Sequence, residues 1–489
     1  MHRYQPGSCL AVLAALLGGV ATGRAEQPAV KPNIVFILAD DLGINDLGCY
    51  GRKEHPTPHI DRLATQGARF TSAYAEPVCS PTRAALMTGK WPARLHLTTF
   101  LPGRPDAPSQ KVLHPKINQQ LPKEEKTIAD LLKDAGYQSA CIGKWHLGGK
   151  GSLPQDRGFD FVYTAKANTA PSDAEGGKGE YELTRQAEKF ITDNKDRPFF
   201  LYLAHNTPHI PLGAKPDLVA KYKDAFNPTY AAMMHTLDDC VGRILAKLDE
   251  LKLADRTLVV FTSDNGGLHV PEMTNTPATH NTPYRAGKGF LYEGGLRIPL
   301  IVRWPGQVPA GCVIDSPVQS MDWVPTFLEL AGAKPSAPLD GMSLAGLLRG
   351  KEFAARPLFW HFPHYTNQGG RPGGAIRDGD WKLIEHYEDG QLELFNLAKD
   401  PTETKDLADD EPDMAKRLHI KLDAWRKLVG AQEMTPNPNF DPARHKKLYI
   451  DTDVSTLKPA ATAAEMRPKL EAWREEMQAV VKPPAKPKP

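Results

Sequence analysis

Five short, largely apolar stretches constrain the fold of this chain more than any other feature. They run from Ile34 to Ala39, Gln138 to Ile142, Phe199 to Ala204, Leu258 to Thr262 and Ile298 to Val302. Each has the length of a strand rather than a helix. A strand that is apolar at consecutive positions, not alternate ones, must be covered on both faces. Between them lie stretches of helical period, Ile60 to Ala68, Ile128 to Ala135 and Tyr230 to Leu251. This alternation predicts an α/β fold with a mostly parallel sheet sandwiched by helices. Polar or glycine-rich text follows four of the five strands: Asp40-Asp41, Lys144-Trp145-His146, His205 to His209, and Asp264-Asn265-Gly266-Gly267. Ligands of open α/β sheets bind at the carboxyl ends of the strands. The expectation is one shared site.

The α/β pattern occupies residues 32–337. From about Pro338 the texture changes, and residues 338–440 read as a smaller C-terminal α+β subdomain. Gly374 to Tyr387 and Gln391 to Leu397 read as antiparallel strands with a turn at Glu388-Asp389-Gly390, and Pro412 to Leu428 reads as a helix against them. Residues 441–489 form an extension, with a helix from Ala461 to Val480 and a Pro/Lys-rich tail too polar to pack. Residues 1–25 carry Arg3, an apolar run from Leu10 to Val20 and small residues at Gly23 and Ala25, the pattern of a cleaved signal peptide. The expected product is secreted or periplasmic. No later segment reaches the ~20 apolar residues of a membrane span. Net charge is +2, and without Arg3 and Arg24 the basic residues match the 58 acidic ones, so no basic field points to nucleic acid. Cys49, Cys141, Cys240 and Cys312 are scattered and suggest neither a disulfide scaffold nor a zinc site.

The segment Cys79-Ser80-Pro81-Thr82-Arg83, with Leu86-Met87-Thr88-Gly89 after it, is the most specific motif. Here the chain resembles the type I, formylglycine-dependent sulfatases of the alkaline phosphatase superfamily, whose C-x-P-x-R signature it matches in full. The resemblance runs from about Pro32 to Leu428 and takes in Leu394-Phe395-Asn396-Leu397, Asp400-Pro401 and Glu403. It implies an alkaline-phosphatase-like fold and hydrolysis of sulfate esters. It also implies that Cys79 is oxidised to formylglycine by a formylglycine-generating or anaerobic sulfatase-maturating enzyme. The chemistry explains the choice of residue: an aldehyde hydrate has one oxygen to attack sulfur and a second from which to expel sulfate. Arg83 puts a permanent charge beside the anion, and a helix N-terminus at Cys79 favours it further.

Asp40-Asp41 and Asp264-Asn265 offer three carboxylates and an amide oxygen at two strand ends. Adjacent carboxylates repel unless something positive sits between them, and this oxygen set suits calcium or magnesium rather than zinc. The resemblance implies calcium, with an oxygen of modified Cys79 in the shell. Asn265 also bears on the rival reading, a phosphodiester or phosphonate hydrolase, because those relatives usually place His there. Lys144 and His146 are two apart in extended chain and share a face. By resemblance Lys144 holds a sulfate oxygen, His146 is the base that lets sulfate leave, and His209 and Lys288 contact the sulfate. His205, Glu293 and Arg297 read as structural neighbours. An intact Cys79, Arg83, Lys144 and His146 argue against a non-catalytic sulfoglycan-binding protein. The expected substrates are sulfated sugars, with Arg94, His96, Arg104, His361, His364 and Arg371 as candidates for the pocket rim and Trp360 as a platform for a sugar ring.

Overall fold

The structure is a computed structural model that describes residues 31–164 and 177–479. The signal segment and the Pro/Lys-rich tail lie outside the described residues. All five apolar stretches are strands of one nine-stranded sheet. Across it run Val318–Gln319, Ala68–Tyr74, Arg297–Arg303, Thr257–Ser263, Asn33–Ala39, Phe199–Ala204, Gln138–Gly143 and Phe161–Thr164, while Cys312–Ile314 also pairs with Ala68–Tyr74. Pairing is parallel except along Arg297–Arg303, which is antiparallel to both neighbours.

Successive residues of Asn33–Ala39 point to opposite faces and are buried on both. Val35, Ile37 and Ala39 join one apolar cluster; Ile34, Phe36 and Leu38 join the other. Helix Pro228–Glu250 covers the first face with Leu237, Val241 and Ile244, and helices Ile128–Asp134 and Trp323–Ala331 cover the second. The stretch read as helix from Ile60 to Ala68 ends earlier, at Thr65, and Ala68 instead opens the strand Ala68–Tyr74. Arg69 and Thr71 alternate with buried neighbours there, so the strand lacks the continuous apolar run of the others.

The C-terminal part contains an antiparallel sheet of Leu358–Phe362, Gly373–Asp378, Trp381–His386 and Leu392–Asn396. Helix Pro412–Val429 packs on it through Leu418, Leu422 and Trp425, whose ring stacks on Phe359 with centroids 4.9 Å apart. Helix Ala463–Ala479 buries Met466, Leu470, Trp473 and Met477 in the same cluster as Val35 and Ile37 of the large sheet. No helix among the described residues is long and apolar enough to cross a membrane.

Candidate active site

Strand register assembles the site. Ala39 pairs with Ser263, Leu38 with Ala204, and Gly143 with Ala204. Asp40, Asp264, His205 and Lys144 therefore leave the sheet side by side. Backbone bonds fix the exits: Asp264 N donates to Ala39 O at 3.2 Å, Asp40 N to Thr207 O at 3.1 Å, and Lys144 N to Ala204 O at 2.9 Å. Gly143 sits at φ +106°, and a Cβ there would fall 1.9 Å from Ala204 O, so only glycine permits this close pairing before Lys144. Cys79 opens the helix Cys79–Thr88, in which every residue is buried.

The charged groups interlock around it. Arg83 donates from Nε and Nη2 to Asp264 Oδ2 at 3.0 and 2.8 Å, and from Nη1 to Lys144 O at 2.8 Å. Lys144 Nζ donates to Asp40 Oδ2, and Lys288 Nζ to Asp41 Oδ2, both at 2.6 Å. His209 Nε2 lies 3.6 Å from Asp41 Oδ2. One potential ligand atom from each of Asp40, Asp41, Cys79 and His209 lies within 4.8 Å of the others. Asp40 Oδ1 and Asn265 Oδ1 are buried and accept no hydrogen bond among the described residues. Each such acceptor costs about 1–3 kcal/mol if nothing meets it. Asn265 Nδ2 donates to Asp41 Oδ1 at 2.8 Å, which commits the amide nitrogen and leaves its oxygen for a cation. Two unmet oxygens among three buried carboxylates fit a hard divalent ion.

Titration follows from burial and from these pairs. Burial would raise Asp40, but Lys144 and Arg83 hold it well below the usual carboxylate range. Burial and the neighbouring Asp40 push Asp264 up to about 7 despite Arg83. Against burial, Asp40 raises Lys144 and Asp41 raises Lys288, so both remain charged. Burial, then Lys144, brings His146 down to about 3; burial, then Lys288, holds His209 well below its ordinary value. Both imidazoles are therefore neutral at neutral pH. Asp41, His146 and Ala286 adopt left-handed backbone at φ 67°, 59° and 61°. Non-glycine residues in that region store about 1–3 kcal/mol each, and such strain clusters at functional sites.

A model of the family described as Sulfatase matches residues 32–333, more than half of the chain. The chain belongs to the sulfatase family. It is accordingly a sulfuric ester hydrolase. A second model, described as N-sulphoglucosamine sulphohydrolase, C-terminal, matches residues 286–428 of this sulfatase. It is 32% identical over 509 residues to a sulfatase of Formosa agariphila, covering 83% of this chain and 91% of that protein. It is 35% identical over 380 residues to the N-acetylgalactosamine-6-sulfatase of Canis lupus familiaris, covering 70% of each. Its fold is similar to the crystal structure of Ps i-CgsB in complex with k-i-k-neocarrahexaose, with TM-score 0.70 and 31% identity, covering 81% of this chain and 93% of that one.

The structure brings Cys79, Arg83, Lys144, His209 and Lys288 together with Asp40, Asp41, Asp264 and Asn265, while His146 donates from Nε2 to Leu101 O at 2.9 Å. The expected rim fares differently. Trp360 is 1% exposed and donates to Ala75 O, so it is core and not a sugar platform. His361 and His364 are buried against Tyr387 and Thr98, and Arg104 is buried against Thr366 O. Arg94 grips Asp340, His96 meets Gly430 O, and Arg371 pairs with Glu388. For the buried His361, His364 and Arg104, polarity in a loop sequence did not distinguish a pocket wall from an internal strut. Two groups went unread. Lys178 Nζ donates to His209 O at 2.8 Å and Ile210 O at 3.1 Å, and burial lowers its pKa to about 8. Glu180 holds both His205 Nδ1 and Thr207 Oγ1. The glycines flanking Lys178 were the one available signal.

Proposed function

We propose that this sulfatase hydrolyses sulfate monoesters of sulfated sugars, with calcium held by Asp40, Asp41, Asp264 and Asn265 and with Cys79 oxidised to formylglycine. One observation carries the proposal: Cys79 is buried within reach of two aspartates, among acceptor oxygens that no proton donor satisfies. Calcium would supply a fixed divalent charge that favours an ionised nucleophile and keeps the three carboxylates deprotonated together. Formylglycine would supply, as its hydrate, two hydroxyls on one carbon.

The remaining chemistry belongs to side chains already in position. Three carboxylates face three cations, Arg83, Lys144 and Lys288, so a divalent ion leaves the site net positive and suited to an anion. Lys144 and Lys288 hold the sulfate oxygens. His209 gives its Nδ1 proton to Ile210 O and so carries a lone pair on Nε2. It opposes charge growing on the ester oxygen only once it takes up a proton there as the anion binds, while Lys288 beside it supplies a fixed positive charge as the S–O bond breaks. His146, neutral and with an unpartnered Nδ1, takes the hydroxyl proton when sulfate departs.

The sugar class draws support from the names of relatives, an N-acetylgalactosamine-6-sulfatase and a protein solved with neocarrahexaose. Export, and maturation by a formylglycine-generating or anaerobic sulfatase-maturating enzyme, are part of the same proposal and rest on residues 1–25 and the Cys79 motif. The test is sulfate release from a panel of sulfated mono- and oligosaccharides, with and without strong chelator. Turnover of at least one sugar, lost in chelator and restored by calcium, is expected. Activity that survives complete metal removal would refute the calcium site.

A further inference from the structure

The family models end at residue 428, yet the chain beyond it is bonded to the loop that meets His146. This loop, residues 97–121, is held along its length by the C-terminal segment. Thr435–Pro436 pairs with Val112–Leu113 as a short antiparallel ladder. Asn437 is buried and fully engaged: its Nδ2 donates to Ala107 O at 3.0 Å and Gln110 O at 2.7 Å, and its N to Lys111 O at 3.1 Å. Nearer the site stands Arg104, also buried. Its Nη1 donates to Thr366 O at 2.9 Å and Asn367 Oδ1 at 3.0 Å, and its Nη2 reaches Met477 O at 3.5 Å in the last turn of helix Ala463–Ala479. Carbonyls there have no partner within the helix, so a guanidinium both satisfies one and opposes the helix dipole. Arg474 of the same helix donates to Asn367 O at 2.9 Å, clamping the residue that Arg104 grips.

Three residues before Arg104, Leu101 turns both backbone groups toward the active site. Its N–H donates to Ser80 Oγ at 3.2 Å, beside Cys79, and its carbonyl accepts from His146 Nε2 at 2.9 Å. A carbonyl can only accept, so Nε2 carries the proton and the lone pair of the neutral ring lies on Nδ1. Nδ1 is buried and has no hydrogen-bond partner among the described residues. A histidine with the wrong nitrogen protonated cannot act as base from that geometry, whatever its pKa.

We infer that Arg104 is a positioning residue: braced by the C-terminal helix, it holds the Leu101 carbonyl against His146 Nε2 and so fixes the tautomer in which Nδ1 is the base. This deepens the reading of His146 given above and rests on it. The residues beyond 428 are on this account part of the catalytic unit. Nothing in the core motifs signals the arrangement, because its central contact is a backbone carbonyl.

The test is a double-mutant cycle on protein carrying oxidised Cys79, using initial rates of sulfate release from one sulfate ester. Arg104→Met is expected to lower kcat by about tenfold or more, within the about 10²- to 10⁴-fold a positioned base contributes, and to leave KM within about twofold. Arg104→Lys, able to reach one of the two carbonyls, should recover part of the loss. On a His146→Ala background, Arg104→Met should cost nothing further. Asn437→Ala, run through the same cycle, replaces Arg104→Met if that protein does not fold. Equal losses on both backgrounds, or an undiminished kcat, would overturn the positioning role while His146 remains the base. A His146→Ala protein that keeps the parent kcat would overturn the reading of His146 and this inference with it.

Discussion

As a thiol, Cys79 is a poor nucleophile where it stands. Burial, only partly offset by Lys144 and Lys288, pushes its pKa up to about 12, so at neutral pH almost none is thiolate. The surroundings that discourage a thiolate suit a neutral hydrate that ionises only as it attacks. Active protein should therefore contain no intact thiol at this position. Peptide mass spectrometry of the segment around Cys79, from a host that supplies a maturating enzyme, should show the aldehyde in proportion to specific activity. Full activity with the cysteine unmodified would contradict the account. Residue chemistry of this kind was legible beforehand: Asp40, Asp41, Cys79, Arg83, Lys144, Asp264 and Asn265 lie at strand ends and a helix start that announce themselves in sequence, whereas Lys288, in a loop, was found only by resemblance to the family. Contacts made by backbone, such as Leu101 O on His146, leave no such trace.

Between elements, the two sheets are joined by a buried ionic cluster rather than by apolar contact alone. Lys382, on the strand Trp381–His386, lies between Glu293 Oε1 at 3.0 Å and Glu403 Oε1 at 2.8 Å, and Glu293 also pairs with Arg297. Burial pushes Glu403 up to about 7, whereas Lys382 and Arg297 outweigh burial at Glu293 and hold it at about 2. Lys382→Met would strand Glu403 in the interior without its cation and leave Glu293 dependent on Arg297. Removing one partner of a buried pair costs about 3–5 kcal/mol, so a clear drop in thermal midpoint is expected, and an unchanged midpoint would contradict this role. Element boundaries were readable wherever the apolar run was continuous. They failed at Ala68–Tyr74, which lacks such a run, and within the mostly parallel sheet one strand, Arg297–Arg303, runs antiparallel. A strand buried on both faces looks the same from either end, so its antiparallel pairing comes from chain connection and not from composition. The run Gly374 to Tyr387 likewise proved to be two strands, turned at Gly379 with φ 64°.

For the molecule as a whole, buried histidines away from the site contribute to the response to acid. Burial brings His269 down to about 4 and His361 to about 3, against about 6.5 in an unfolded chain. Between those values the unfolded state binds more protons, so stability rises with pH up to about 6.5 and is lost as pH falls below it. Each histidine contributes at most on the order of 3–5 kcal/mol to this loss. Asp264 and Glu403, raised to about 7 by burial, gain protons on folding over the same range and act in the opposite sense, so the test is a comparison. A His269→Phe, His361→Phe variant should lose less stability than the parent between pH 7 and pH 4, and equal losses would contradict the burial of these rings in neutral form. The central claim concerns the ester itself. A sulfate monoester brings one negative charge and a phosphate monoester close to two, and this site offers oxygens for one divalent ion plus Arg83, Lys144 and Lys288. The direct measurement is kcat/KM for the sulfate and phosphate monoesters of one alcohol, on matured enzyme with calcium. Sulfate should be preferred; a phosphate preference of about tenfold, or about 1.4 kcal/mol of transition-state stabilisation, would contradict the assignment.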